Sequence, residues 1–236
     1  INDTALEQLK QAGVFEPYEP VDSQIAPEFR DPDGFFNKYF ATTMCMLVNT
    51  DRLTEKNLPT PVTWEDLIEA VKTLKENGIV PIAVAGKERW PLVNWFAYLS
   101  NRIGGSEPFE RAVRGEGDFT DPSFVEAALK MRELVENDAF LPGFSGMTWL
   151  DVEDAFLDGE AAMYLQGDWS AEKYLRNEDI GFFRFPDLGG EGELTHYYGG
   201  YGAGWAIARN GNVDAALQVL DFLLSPTEWA RFVAAN

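Results

Sequence analysis

Apolar residues recur along the chain at two spacings, one typical of helices and the other of strands. The clearest helix begins after Thr63 and ends at Gly78. Its apolar residues fall on one helical face: Trp64, Leu67, Ile68 and Val71. Similar patterns predict helices over residues 4–12, 91–102, 148–157 and 214–224, another beginning at Pro122, and a last one after Ser225.

Short apolar runs lie between the predicted helices. They predict strands over residues 39–49, 79–85, 161–165, 181–185 and 202–208. Helices and strands therefore alternate through most of the chain, which favours an α/β fold with a largely parallel sheet. In such sheets ligands usually bind at the carboxyl ends of the strands. The proline-rich segment 57–61 is the best candidate for a boundary between two lobes.

Acidic side chains dominate the charge, because 39 Asp and Glu stand against 19 Lys and Arg and give a net charge of −20. Such a surface repels phosphate backbones, so we expect no nucleic-acid partner. The acidity is compatible with ordinary solubility, with a halophilic source and with a cationic partner. No apolar run approaches the roughly 20 residues of a membrane helix, so we expect no direct membrane span.

The chain contains one cysteine, Cys45, and one histidine, His196. A disulfide within the chain and a cysteine-based zinc site are therefore excluded, and Cys45 is expected to be a buried, unreactive thiol. A serine hydrolase triad would have to use His196, but Ser145 does not lie in a Gly-x-Ser-x-Gly elbow. Glycine motifs that cradle phosphates do not follow any predicted strand. These patterns disfavour hydrolase and nucleotide chemistry, and no cofactor is expected.

Five segments carry motifs that occur together in one family. They are Leu47–Leu53; Pro61–Leu67; Gly78–Ala83 with Trp90-Pro91; Phe156–Met163 with Gly167-Asp168-Trp169; and Gly199–Ile207 with the helix ending at Ser225-Pro226. In this order they resemble the extracellular solute-binding proteins of ABC importers, family 1, in their sugar-binding branch. The resemblance implies a two-lobe α/β fold of the periplasmic-binding-protein type. It places residues 1–58 in the first lobe with the crossing strand, residues 59–200 in the second lobe, and residues 201–236 in a return to the first.

The same resemblance implies a receptor without catalysis. It would bind a small sugar or oligosaccharide in a cleft between the lobes by hinge closure, and deliver it to the membrane subunits of an ABC importer. Its location would be the periplasm or, as a lipoprotein, the cell surface. Family members are longer and open with strands that this sequence lacks, so one lobe is expected to be incomplete. We therefore expect part of the apolar cover to be missing from Leu6 and Leu9, and from Trp229, Phe232 and Val233 of the last helix.

Sugars have polar edges and apolar faces, so tryptophan rings are suitable binding platforms. Trp64 and Trp229 lie in helix stripes and are expected in the core. By resemblance Trp169 stacks on the sugar, while Asp168 either accepts sugar hydroxyls or caps the helix that follows. The other candidates are Trp90, Asn94 and Trp95, Trp149, Gly200, Tyr201 and Trp205, and Tyr39 in the opposite lobe. Plain packing is the alternative role for Trp90, Trp95 and Trp169.

Two other functions stay open. Residues 26–34 are closer to polyamine and ferric-iron receptors of the same superfamily, and the pair Tyr197-Tyr198 could ligate iron. The alternative of another class is a glycoside hydrolase, which needs paired carboxylates. Candidates for that pair are Asp151, Asp154 and Glu160, although roles as helix caps and solvated helix positions explain them more simply.

Overall fold

The computed structural model describes residues 3–18 and 25–235, and only the backbone for residues 3–5, 39–40, 201–202 and 233–235. The chain forms two compact units. One contains the residues up to 42 together with those from 199 onward, and the other contains residues 43–198.

The unit of residues 43–198 is built on four strands. They are the end of β2 (Phe36–Asn49), β3 (Val80–Ala83), β4 (Ala161–Gly167) and β5 (Ile180–Phe183). β3 runs parallel to β4, whereas β2 pairs antiparallel with both β4 and β5. The expectation of a largely parallel sheet was therefore wrong. An apolar run indicates that a strand is buried but does not specify the direction in which the strand pairs.

Helices pack on this sheet and include two that the sequence did not reveal. The helices are α2 (Thr50–Thr54), α3 (Trp64–Glu76), α4 (Trp90–Gly104), α5 (Glu107–Arg114), α6 (Pro122–Glu136), α7 (Trp149–Leu157) and α8 (Ala171–Leu175). The short helices α2 and α5 were missed, because α2 follows a strand directly and α5 buries no side chain. The predicted face of α3 is confirmed, since Trp64, Leu67 and Val71 are buried in the core of this unit. Burial of each such side chain contributes about 1.5–3 kcal/mol.

The other unit consists of α1 (Asp3–Gln11), β1 (Phe15–Glu16), the first part of β2, β6 (Gly199–Ala208), α9 (Val213–Leu223) and α10 (Pro226–Ala235). β1 pairs antiparallel with β6. Leu6 is fully buried against Phe15 and Phe36, so the expectation that it lacks apolar cover was wrong. A Cβ on Gly204 would come within 2.7 Å of the Leu6 side chain, so the missing side chain at Gly204 provides the space. Leu9 is partly buried on the same cluster.

The two C-terminal helices present apolar side chains at the surface. Phe232 is 58% exposed, as expected, and the side chain of Val233 lies outside the described residues. Trp229 was expected in the core but is 37% exposed, which corrects that prediction. Its ring stacks on Phe232 with the centroids 5.4 Å apart, so it packs within its own helix rather than beneath it.

Candidate functional site

Three tryptophans meet at one edge of the sheet in the unit of residues 43–198. Trp90 begins α4 shortly after β3, and Trp169 lies in a 3₁₀ segment, Asp168–Ser170, directly after β4. Because β3 and β4 are parallel, their carboxyl ends lie at the same edge. Trp149 begins α7 and reaches the same place. We call Trp90, Trp149 and Trp169 the tryptophan cluster.

Trp90 is the central ring of the tryptophan cluster. Its centroid lies 5.5 Å from that of Trp169, with the planes at 72°, and 6.1 Å from that of Trp149, with the planes at 58°. Edge-on and tilted pairs are favourable for aromatic rings and leave ring faces uncovered. Trp169 is 43% exposed, so one of its surfaces is open to a ligand.

Gly167 is required for the position of Trp169. A Cβ at Gly167 would lie 2.1 Å from Cζ3 of the Trp169 ring. The ring therefore lies directly on the backbone at the end of β4, where any larger residue would displace it.

Backbone hydrogen bonds join the segments that carry Trp90 and Trp149. The amide of Gly86 donates to the carbonyl of Phe144 at 2.8 Å, and the amide of Lys87 donates to that of Met147 at 3.2 Å. The approach is close, because a Cβ on Gly86 would lie 2.6 Å from Cα of Ser145. Arg89, immediately before Trp90, has a φ of 68°, an uncommon value for a residue other than glycine.

The N-terminus of α7 is fixed by two side chains. The hydroxyl of Thr148 accepts from the amide of Asp151, and the carboxylate of Asp151 accepts from the amide of Thr148 at 2.9 Å. The Thr148 hydroxyl also donates to the carboxylate of Asp151 at 2.6 Å, and this bond, together with the one from the Thr148 amide, lowers the pKa of Asp151. Glu88, from the loop after β3, accepts from the amide of Trp149 at 3.1 Å. An anion at a helix N-terminus is favourable, so both carboxylates stabilise the first turn that carries Trp149.

Two polar candidates accompany the tryptophan cluster. Asn94 lies one helical turn after Trp90 and is buried to about nine-tenths. Among the described residues no hydrogen bond is formed by its side-chain amide, which therefore keeps its donors and acceptor for a ligand. Asp168 is exposed and is the first residue of the 3₁₀ segment rather than its N-cap, which is Gly167.

The remaining candidates do not belong to the tryptophan cluster. Trp95 is 1% exposed and packs edge-on against Phe140 and Phe185, so neither face of its ring is open. In the other unit, Trp205 is 39% exposed, and its carbonyl accepts from the Tyr18 hydroxyl at 3.2 Å. Gly200 has a φ of 144° and open space where a Cβ would lie. The side chains of Tyr39 and Tyr201 lie outside the described residues.

The residues considered for catalysis occupy ordinary positions. Asp151 is the cap of α7, and Asp154 and Glu160 are exposed. Burial, together with the charge of Asp168, raises the pKa of Cys45 to about 11, which makes it a poor nucleophile at neutral pH. Among the residues that the structure describes, no three His, Cys, Asp or Glu side chains lie close enough together to hold a metal ion.

Sequence reasoning quoted Gly167 in a motif without assigning it a role, and it missed Glu88 and the buried carboxylate of Glu153. Gly167 and Glu88 act through tertiary contacts that no local pattern encodes. Glu153 did carry a signal, because it falls among the apolar residues of α7 that face the core: Val152, Ala155 and Phe156. An acidic residue on a buried helical face requires partners, and this requirement could have singled it out.

Comparison with known proteins was made for sequence and for structure. The profile of the bacterial extracellular solute-binding protein family matches residues 2–228. A probable sugar-binding periplasmic protein of Rhizobium meliloti is 25% identical, over 97% of this chain and 56% of the relative. An uncharacterized ABC transporter extracellular-binding protein of Pyrococcus horikoshii is 30% identical, over 52% of this chain and 29% of the relative.

Solved structures are similar over nearly the whole chain. A chitin oligosaccharide binding protein is 26% identical with a TM-score of 0.81, and the match covers 97% of this chain and 61% of that protein. A protein from work on xylan utilization by the thermophilic bacterium Caldanaerobius polysaccharolyticus is 25% identical with a TM-score of 0.83, over 92% of this chain and 60% of that protein. The chain thus spans 56% or less of the length of the two sequence relatives and about 60% of these two structures. Within the described residues, every helix is too short or too polar to cross a membrane.

Proposed function

The chain belongs to the bacterial extracellular solute-binding protein family, and from this premise we propose that it binds a small sugar or an oligosaccharide for import by an ABC transporter. The protein acts as a receptor and catalyses no reaction. Its partners are the sugar and the membrane subunits of the importer, and it works in the periplasm or at the cell surface. Sequence relatives named as sugar-binding proteins support this proposal.

The observation that carries the proposal is the tryptophan cluster. Trp169 offers an exposed ring on which the apolar face of a sugar can stack. Trp90 packs edge-on against that ring and is itself in contact with Trp149. The amide of Asn94 and the carboxylate of Asp168 supply donors and acceptors for sugar hydroxyls at the same edge of the sheet. Aromatic surface combined with a few polar groups is the usual composition of a small-molecule site.

A thermal-shift screen tests the ligand class. The panel contains xylotriose, chitotriose, maltotriose, raffinose and glucose, with spermidine and ferric citrate as representatives of the rival receptors. A ligand at 100 times its dissociation constant adds about 2.7 kcal/mol to the free energy of unfolding, so a real ligand raises the midpoint clearly. We expect stabilisation by at least one sugar and none by spermidine or ferric ion. Stabilisation by spermidine or ferric ion alone would contradict the proposal.

A second assay separates receptor from hydrolase. We expect no release of nitrophenol from chromogenic xyloside, glucoside and N-acetylglucosaminide substrates. Turnover that is lost on changing Asp154 or Glu160 would identify a glycosidase instead.

A further inference from the structure

Glu153 on α7 is a fully buried carboxylate outside the tryptophan cluster, with 0% of its surface exposed. Both of its oxygens are occupied by donors from α8. The hydroxyl of Tyr174 donates to Oε1 at 2.7 Å, and the ammonium of Lys173 donates to Oε2. A buried carboxylate persists only with such partners, so the three side chains form one tie between α7 and α8.

The tie lies one helical turn from two of the three tryptophans. Glu153 is four residues after Trp149 on α7, and Lys173 is four residues after Trp169, which lies two residues before the start of α8. Side chains four residues apart lie on the same side of a helix, so Glu153 shares a helical face with Trp149. α8 continues from the segment that carries Trp169. Moving α8 relative to α7 would therefore move Trp169 relative to Trp149.

The carboxylate is suited to holding a fixed geometry. Burial alone would raise the pKa of Glu153, but hydrogen bonds from Lys173, Ser170 and Tyr174 outweigh burial and lower it. The group stays ionised and can only accept hydrogen bonds, so its donors keep one orientation. Tyr174 is itself buried and packs against Phe156 of α7 with the ring centroids 6.5 Å apart.

We propose that Glu153 is a positioning residue of the sugar site, which holds the Trp169 segment against the Trp149 helix through Lys173 and Tyr174. Glu153 has no exposed surface and touches no ligand, so it acts through the two tryptophans. The expected effect on sugar affinity rests on the proposed function, whereas the expected effect on the arrangement of the tryptophan rings does not.

The test compares Glu153→Ala with Leu74→Ala, a substitution of a fully buried residue on α3 outside this tie. The first readout is the exciton-coupled circular dichroism of the closely spaced indole rings in the ligand-free protein. The second is affinity for xylotriose, chitotriose and maltotriose by calorimetry, below the unfolding midpoint of both variants. We expect Glu153→Ala to lose most of the exciton signal and to weaken sugar binding about tenfold or more, which corresponds to roughly 1.4 kcal/mol. Leu74→Ala should keep the exciton signal and the sugar affinity of the wild type.

The outcomes separate this inference from the proposed function. An unchanged exciton signal in Glu153→Ala, or an equal loss in Leu74→Ala, would overturn the positioning role. If Glu153→Ala does not fold, Tyr174→Phe removes one hydrogen bond while retaining the ring, and a partial loss of the signal is expected; no change would overturn the inference. If the wild-type protein binds no sugar, the proposed function fails, whereas the exciton signal still decides the role of Glu153.

Discussion

Two groups of aromatic side chains at the surface, the tryptophan cluster and the flank of α9 and α10, are held in different ways. In the tryptophan cluster, each ring stands at the first turn of a helical segment, and neighbouring rings meet edge-on or at a tilt. On the flank of α9 and α10, Phe222, Trp229 and Phe232 project from the helices. There Trp229 and Phe232 are stacked with their planes at 24°, which covers one face of each ring.

The difference separates a binding platform from a merely exposed apolar face. The rings of the tryptophan cluster are fixed by backbone contacts, by the carboxylate of Glu88 and by the close approach of Gly167. A rigid ring loses little conformational entropy when a ligand stacks on it, which favours binding. Polar groups from Asn94 and Asp168 lie on the same segments. On this ground we propose the sugar site at the tryptophan cluster rather than on the helix flank.

The largest expected effect distinguishes buried from exposed tryptophan. Trp95→Ala should lower the free energy of unfolding by about 3–5 kcal/mol, because it removes a fully buried ring from the core. Trp169→Ala should cost much less stability, since nearly half of its ring is already exposed. Urea unfolding of both variants checks this. Equal losses in the free energy of unfolding would mean that Trp169 is a core residue like Trp95 and not an exposed binding platform.

A smaller effect concerns the position of the Trp169 ring. Gly167→Ala should displace the ring and weaken binding of xylotriose, chitotriose or maltotriose by about tenfold, roughly 1.4 kcal/mol. Gly146→Ala is the matched control, because a Cβ there meets no atom within 4 Å. Calorimetry with both variants measures the difference. Unchanged affinity in Gly167→Ala would show that the ring need not lie on β4.

The pH dependence of stability sharpens the account of how the cluster is held. The pKa of Glu153 is lower in the folded protein than in the unfolded chain, so its contribution is present above the unfolded value of about 4.3 and is lost as pH falls through the folded value. The difference in stability between the wild type and Glu153→Gln should therefore shrink as the pH falls below about 4.3. Urea titrations at several pH values measure it. A stability difference between the two proteins that does not change with pH would contradict an ionised Glu153 carboxylate in the folded protein.

The smallest expected effect is that of salt. A neutral sugar forms no ion pairs, so its affinity should hardly change while the Debye length shortens to about 8 Å near 0.15 M ionic strength. Calorimetric titrations at low and moderate salt check this. A steep fall in affinity would favour a cationic ligand such as a polyamine, despite the aromatic site.

The fold was predictable where local chemistry specifies an element. Both capping boxes, Thr63 with Asp66 and Thr148 with Asp151, are visible as spacings in the sequence and are present in the structure. Strand direction was not predictable, because β2 is as apolar as β4 but runs against it. The position of Trp229 was also missed, since an amphipathic stripe shows which face is apolar but not what covers it.

The candidate site was predictable as a list but not as an arrangement. Trp90, Trp149 and Trp169 were each named as candidates, Trp169 by resemblance to the family, yet nothing in the sequence showed that they meet. Trp95 was grouped with Trp90 because it lies five residues away, and the packing around α4 turns it into the core. The supporting residues Gly167 and Glu153 act through contacts between distant segments, which only the folded chain reveals.

The most direct test of the central claim is calorimetric titration of Trp169→Ala and Trp229→Ala with the panel sugar that stabilises the wild type most. Both substitutions remove a partly exposed indole, one from the tryptophan cluster and one from the helix flank. A stacked aromatic at the centre of a site is worth about 2 kcal/mol or more, so Trp169→Ala should bind more weakly by about thirtyfold or more while Trp229→Ala binds like the wild type. Unchanged affinity in a folded Trp169→Ala variant, or an equal loss in Trp229→Ala, would contradict the assignment of the sugar site to the tryptophan cluster.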